Sequence, residues 1–76
     1  MSDKPEITDT TPLRLAIAAE LAFPGGGMTV SGLRKEAAKG RLVIERIAGK
    51  DYTTLGEIAK MRKLCQIGPK ITATNL

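Results

Sequence analysis

The stretch PGGGMTVSGLRKEAAKGRL, from Pro24 to Leu42, decides the fold of this chain. A proline and three consecutive glycines end the preceding helix and let the chain reverse, because glycine adopts positive φ without strain. Thr29 is a candidate N-cap, and Gly40 is a suitable stop for the helix between them. The stretch therefore predicts a tight turn followed by a short basic helix. The apolar stripe of that helix consists of Val30, Leu33 and Ala37.

A glycine-rich turn before a basic helix is also found in the phosphate-binding loops of nucleotide hydrolases. Such a loop has the pattern G-x-x-x-x-G-K-[ST] and follows a strand. Gly27 and Gly32 have the required spacing, but Leu33 and Arg34 stand where the pattern needs Lys and Ser or Thr. The segment before the loop has a helical pattern. The sequence therefore argues against nucleotide hydrolysis.

The part of the chain before this stretch divides into an arm and a first helix. We expect residues 1–10, which are polar and acidic, to be a disordered arm. Thr11 and Pro12 are typical of an N-cap and of the first helical position. The helix should end near Ala22. Its predicted apolar face consists of Leu13, Ile17 and Leu21.

The part after the stretch predicts a hairpin. Residues 42–47 are rich in β-branched side chains, residues 48–50 are typical of a turn, and residues 51–53 favour a second short strand. A two-stranded hairpin of this size needs helices to pack on.

A third helix follows the hairpin. Thr54 and Glu57 have the spacing of a capping box, which marks its beginning, and Gly68 and Pro69 end the region. We expect residues 67–76 to be a flexible tail. The side chains expected to face the core are Leu55, Ile58, Met61, Leu64 and Cys65. The order of elements predicts a mainly α winged helix–turn–helix domain with a small β-hairpin over residues 11–66.

The composition limits the possible functions. A chain of 76 residues is expected to form one domain. It contains no histidine and one cysteine, Cys65, which excludes a disulfide framework and a Cys/His zinc site. Histidine-based acid–base catalysis is excluded as well. We therefore expect no enzyme activity, no catalytic residues, no metal ion and no other cofactor.

Targeting signals are not visible in the sequence. The first residues are acidic and polar, unlike a signal peptide. The most apolar run, residues 13–23, is shorter than the ~20 residues of a membrane span and contains Arg14 and Glu20. A single unpaired cysteine suits a reducing compartment. We expect a cytoplasmic protein with no membrane partner.

The net charge of +4 is concentrated in the middle of the chain, where residues 34–50 carry six basic and two acidic side chains. A basic stripe of this kind is typical of proteins that bind a polyanion. The DNA major groove admits one α-helix, and the N-terminal part of that helix usually reads the bases. We expect the second helix to bind duplex DNA in this way. The predicted major-groove residues are Thr29, Ser31, Arg34 and Lys35.

Other basic residues are expected to contact the sugar–phosphate backbone and the minor groove. Lys39 and Arg41 lie further along the chain and suit phosphates. Arg46 and Lys50 flank the hairpin turn, where a wing tip can reach a narrow minor groove. Arg34 has the geometry to pair with guanine through two hydrogen bonds.

The segment SGLRKEAAKGRL, residues 31–42, followed by the hairpin IAGKDYTT, residues 47–54, and a final helix, resembles the phage excisionases. More broadly it is similar to the MerR-like winged-helix group. The resemblance covers about residues 12–66. Residues that match the family pattern are Leu33, Arg34, Lys35, Gly40, Arg41 and Leu42. Ala37 departs from the family, which often has Trp or Tyr there, and residues 23–27 lengthen the turn.

The resemblance implies a DNA-architectural protein of DNA recombination in a prophage or mobile element. Excisionases, or recombination directionality factors, bind attachment-site DNA cooperatively, bend it and direct an integrase toward excision. By this resemblance Ser31, Arg34 and Lys35 read the major groove, and Arg46 and Lys50 lie at the wing. The implied partners are double-stranded DNA, an integrase or other recombinase, and further copies of the protein on DNA, with no small-molecule substrate.

Two alternatives remain open at this point. A small transcriptional regulator needs the same helix and wing, although a regulator that binds two half-sites normally carries a dimerisation element. A protein-interaction module, in contrast, would dock its basic helix on an acidic partner, and its hairpin would be merely structural.

Overall fold

The computed structural model describes residues 6–67. This part contains three helices and one three-stranded antiparallel sheet, so its class is mixed α and β. The elements are β1 (Leu13–Arg14), α1 (Leu15–Ala22), α2 (Val30–Ala38), β2 (Glu45–Ile47), β3 (Lys50–Thr53) and α3 (Leu55–Leu64). Residues 1–5 of the predicted arm, residues 68–76 of the predicted tail, and the helix stop at Gly68 and Pro69 lie outside the described residues.

The first helix begins later than the sequence predicts. Leu13 and Arg14 form a strand that pairs with Thr53 and Tyr52 of β3, and α1 starts only at Leu15. Thr11 does not cap the helix, because Arg14 occupies the N-cap position, and the Thr11 hydroxyl instead accepts a hydrogen bond from the Thr8 backbone N–H at 2.9 Å. The predicted two-stranded hairpin therefore gains a third strand, and β3 lies in the middle of the sheet.

The buried face of α1 also differs from the prediction. Leu15, Ala18 and Ala19 are buried, whereas Ile17 and Leu21 are 46% and 47% exposed. The sequence of α1, LAIAAELA, is apolar nearly all round. Spacing alone therefore does not identify the side that packs on the core.

The turn and the caps of α2 confirm the interpretation of the opening stretch. Gly25 and Gly26 have φ values of 97° and 83°, which reverse the chain after α1. The Thr29 hydroxyl accepts the Gly32 backbone N–H at 3.0 Å, and Gly40 follows the helix with φ of 81°. Within α2, Leu33 is fully buried and is the main anchor of the helix in the core.

The hairpin is shorter than predicted and its turn has two residues. Ala48 and Gly49, with φ values of 53° and 77°, connect Ile47 to its partner Lys50. Positive φ at both central residues is the geometry that matches the twist of a hairpin. Leu42, predicted to begin a strand, instead lies in the core.

The third helix begins at its predicted cap. The Thr54 hydroxyl accepts the Glu57 backbone N–H at 3.1 Å, and Ile58 and Met61 are buried beneath it. Leu64, predicted to face the core, is 63% exposed, because the packed stripe of the helix runs through Ile58, Met61 and Cys65 and leaves Leu64 to one side.

The core is aliphatic. Its buried apolar members are Leu13, Leu15, Ala18, Ala19, Leu33, Leu42, Ile58 and Met61. The described part of the predicted arm is attached to α3, since the Gly56 backbone N–H donates to the Asp9 carbonyl at 2.9 Å. Within residues 6–67, none of the helices has the length and apolar character needed to cross a membrane.

Candidate nucleic-acid interface

One exposed face of α2 carries polar and basic side chains. Ser31, Arg34, Lys35 and Ala38 follow the i, i+3, i+4, i+7 spacing of a single helical face, and all four are exposed. Leu33 anchors the opposite side of the helix in the core. The structure therefore brings three of the four predicted major-groove residues to one surface.

Thr29, the fourth residue of that group, stands at the N-terminus of α2. Its hydroxyl oxygen already caps the helix, so its first role is to hold the first turn. That turn contains no acidic side chain. The unpaired N–H groups of a helix N-terminus are a favourable place for an anion, since they carry partial positive charge.

A buried carboxylate connects α2 to the hairpin. The side chain of Asp51 in β3 is 8% exposed and forms ion pairs with Arg34 of α2, at 3.3 Å, and with Arg46 of β2, at 2.7 Å. The two guanidinium groups keep 59% and 73% of their side-chain surface exposed. Two residues predicted for different grooves of DNA therefore meet at one acidic side chain.

The hydrogen bonds of this cluster favour the ionised form of Asp51. Arg46 donates through Nε to Oδ1 at 2.7 Å and through Nη2 to Oδ2 at 3.3 Å, whereas Arg34 donates through Nε and Nη2 to Oδ2, both at 3.3 Å. The bonds from Arg46 lower the pKa of Asp51 below its ordinary value, and Arg34 adds to the effect against the opposing cost of burial. The pKa of Arg46 is raised in turn by the bond to Asp51.

Arg41, predicted to contact phosphate, is held in a second ion pair. It donates to both carboxylate oxygens of Glu36, with the shorter bond at 2.6 Å. The Cys65 thiol also donates to Glu36 at 3.4 Å. The bond from Arg41 lowers the pKa of Glu36, and the same bond raises the pKa of Arg41. Arg41 therefore fastens the loop after α2 to the helix, in addition to carrying a charge.

The lysines of the predicted site are placed differently from the arginines. Lys35, Lys39 and Lys50 are exposed, and none of them forms an ion pair with another residue of the part from 6 to 67. They present point charges around the paired guanidinium groups, and an ammonium group can donate to phosphates as well as to base edges.

Sequence reasoning missed two contributors to this surface, Asp51 and Glu36, which bind its arginines. Tyr52 follows Asp51 in β3, where successive side chains point to opposite faces of the sheet, and its ring lies under the Arg14 guanidinium at 5.9 Å. The sequence does contain a signal for Asp51. A two-residue turn at residues 48–49 places Arg46 opposite Asp51, whereas the predicted three-residue turn shifts that register by one position.

Neither a protein-family model, nor a curated protein, nor a solved structure matches the chain. Within residues 6–67, no cluster of three or more His, Cys, Asp or Glu side chains is arranged to hold a metal ion. A cavity of about 610 Å³ lies beside α3, lined among others by Phe23, Met28 and Cys65, and none of the predicted DNA-contacting residues lines it. The candidate site is therefore the outer surface of α2 and the hairpin, where guanidinium and ammonium groups can bind an extended anion.

Proposed function

We propose that the chain is a winged helix–turn–helix protein that binds duplex DNA, with α2 in the major groove and the β2–β3 hairpin as the wing. One observation carries the proposal. Arg34 of α2 and Arg46 of the hairpin converge on Asp51 and remain largely exposed, so both elements present cations on a shared surface. A helix that presents Arg34 and Lys35 beside a hairpin that presents Arg46 and Lys50 offers exposed cations to the phosphates of a DNA duplex.

The predicted residues take three roles in this proposal. Ser31, Arg34 and Lys35 reach base edges in the major groove, and the capped first turn at Thr29 approaches a phosphate. Lys39 and Arg41 contact phosphates next to the bases that α2 reads. Arg41 contributes less to the binding energy than Lys39, because it is paired with Glu36. At the wing, the two groups that approach the minor groove are Arg46 and Lys50.

We further propose an excisionase-like role, in which the protein bends attachment-site DNA and directs an integrase toward excision without a catalytic step of its own. The support is the resemblance of residues 31–54 to excisionases, together with the small size of the domain that carries α2 and the hairpin. A gel-mobility assay on circularly permuted DNA fragments tests the architectural part. Mobility that depends on the position of the binding site supports bending, and position-independent mobility contradicts it.

Base reading is tested by comparing two substitutions on α2. A DNA sequence is first selected from a random duplex library with the wild-type protein, and its affinity is compared with that of random DNA. Arg34→Ala should weaken binding to the selected sequence by about 1–3 kcal/mol more than to random DNA, if Arg34 pairs with a base. Lys39→Ala should weaken both equally. Equal losses for Arg34→Ala on the two DNAs would contradict the base-reading role.

A further inference from the structure

An acidic side chain at the centre of a DNA-binding surface is electrostatically unfavourable, because it faces the negative charge of the phosphates. Asp51 is nevertheless the most buried charged residue of this surface, with 8% of its side chain exposed. Its neighbour Glu45, on the adjacent strand, is exposed and forms no ion pair within the described residues 6–67. The position of Asp51 is therefore not explained by surface charge alone.

The hydrogen bonds indicate what Asp51 does to the arginines. An arginine has five N–H donors: one on Nε and two on each terminal nitrogen. Both Arg34 and Arg46 use Nε and one Nη2 donor for Asp51, which is the side edge of the guanidinium group. The end edge, formed by Nη1 and the second Nη2 hydrogen, is left for another partner. That edge can donate two parallel bonds to guanine or to phosphate.

The three residues lie on three different elements. Arg34 belongs to α2, Arg46 to β2 and Asp51 to β3, and Arg46 and Asp51 are direct cross-strand partners. A guanidinium group fixed before the DNA arrives loses less conformational freedom on binding than a mobile one. Asp51 thus fixes two long side chains and the relative position of the helix and the hairpin at once.

We infer that Asp51 is a positioning residue for sequence recognition: it holds the end edges of Arg34 and Arg46 ready for one DNA site, so that α2 and the hairpin read it together. This inference rests on the proposed function. It assigns sequence discrimination to an acidic residue that itself makes no favourable contact with DNA.

The test is Asp51→Asn, in which the side chain keeps its size and loses its charge. The net charge rises by one from +4, so electrostatics alone predict tighter binding to every DNA. The positioning role of Asp51 predicts a different result. The ratio of affinities for the selected and the random duplex should fall about tenfold, within the range of one lost bidentate base contact, while the affinity for random duplex stays equal or rises.

Glu45→Gln is the matched control, because it makes the same charge change on the same hairpin without breaking an arginine pair. It should raise the affinity for both DNAs and leave their ratio unchanged. In an Arg34→Ala background, Asp51→Asn should lower the ratio of affinities for selected and random duplex by much less than in the wild type, because one of the two arginines that Asp51 positions is already absent. Thermal unfolding of each variant identifies a temperature at which all are folded.

Asp51→Glu keeps the experiment decisive if Asp51→Asn fails to fold. It retains the charge and moves the carboxylate by one methylene, so the ratio should again fall although the net charge is unchanged. Parallel gains in affinity for Asp51→Asn and Glu45→Gln, or a wild-type ratio in Asp51→Glu, would overturn the positioning role and leave DNA binding intact. A wild-type protein that enriches no sequence from the library would overturn the proposed function itself.

Discussion

Removing the Thr29 hydroxyl tests the connection between the local structure of α2 and DNA binding. The hydroxyl accepts the Gly32 N–H at 3.0 Å, and its loss in Thr29→Ala leaves that donor without its capping partner. Loss of a threonine N-cap costs about 1 kcal/mol, which lowers the melting temperature of a domain this small by about 4–8 °C. For a chain of this length, with roughly 4–11 kcal/mol of total stability, the loss is substantial.

The same substitution should weaken DNA binding, because the first turn of α2 would have to be reordered in the complex. A free-energy cost of up to about 1 kcal/mol corresponds to roughly two- to fivefold weaker binding. Calorimetry or circular dichroism gives the melting temperature, and fluorescence anisotropy gives the affinity. Thr29→Ser, which keeps the hydroxyl, should restore most of both.

Thr54→Ala is a matched control from the same protein. The Thr54 hydroxyl caps α3 with an equivalent bond of 3.1 Å to Glu57. Its removal should lower the melting temperature by a similar amount and leave DNA affinity unchanged at a temperature where the protein is folded. Equal losses of DNA affinity in the two variants, or an unchanged melting temperature in Thr29→Ala, would refute the reasoning.

The remaining predictions concern stability. Ala48 has φ of 53° at the hairpin turn. Ala48→Asn should raise the free energy of unfolding by about 1 kcal/mol, since asparagine tolerates this conformation. An unchanged urea midpoint would contradict this prediction. The pKa values of Asp51 and Glu36 are lowered from 3.8 and 4.5, so the stability they contribute is present at neutral pH and is lost as the pH falls below those values. Urea midpoints measured against pH should therefore fall on the acid side, and less steeply in Asp51→Asn; identical slopes would argue against the ion pair.

Features that depend on a few adjacent residues could be predicted from the sequence. The glycine turn, the caps Thr29 and Thr54, and the stop at Gly40 all rest on local hydrogen bonds and backbone preferences. The bounds of α2 and the beginning of α3 follow from them. The exposed face with Ser31, Arg34 and Lys35 follows in turn from the helical period of α2.

Features that depend on distant partners could not be predicted. The strand at residues 13–14 exists because β3 offers an edge for pairing, and no local signal in Thr11 or Pro12 reveals that edge. The side of α1 that packs could not be identified, because its residues are apolar nearly all round. The role of Asp51 depends on the hairpin register. The predicted turn is one residue longer than the observed turn, so it gives Asp51 the wrong cross-strand partner.

The salt dependence of DNA binding tests the central claim most directly. Six basic residues lie between positions 34 and 50, and two carboxylates, Glu36 and Asp51, pair with three of them. We expect about four to six neutralised phosphates, hence a slope of log affinity against log salt near −4 to −5. On labelled random duplex, where Arg34 and Lys35 have no preferred base and contact phosphates instead, the double variant Arg34→Ala/Lys35→Ala should reduce the steepness by up to about two in fluorescence anisotropy. Weak, salt-insensitive binding that the double variant leaves unchanged would contradict a DNA-binding surface on α2 and direct the search to an acidic protein partner.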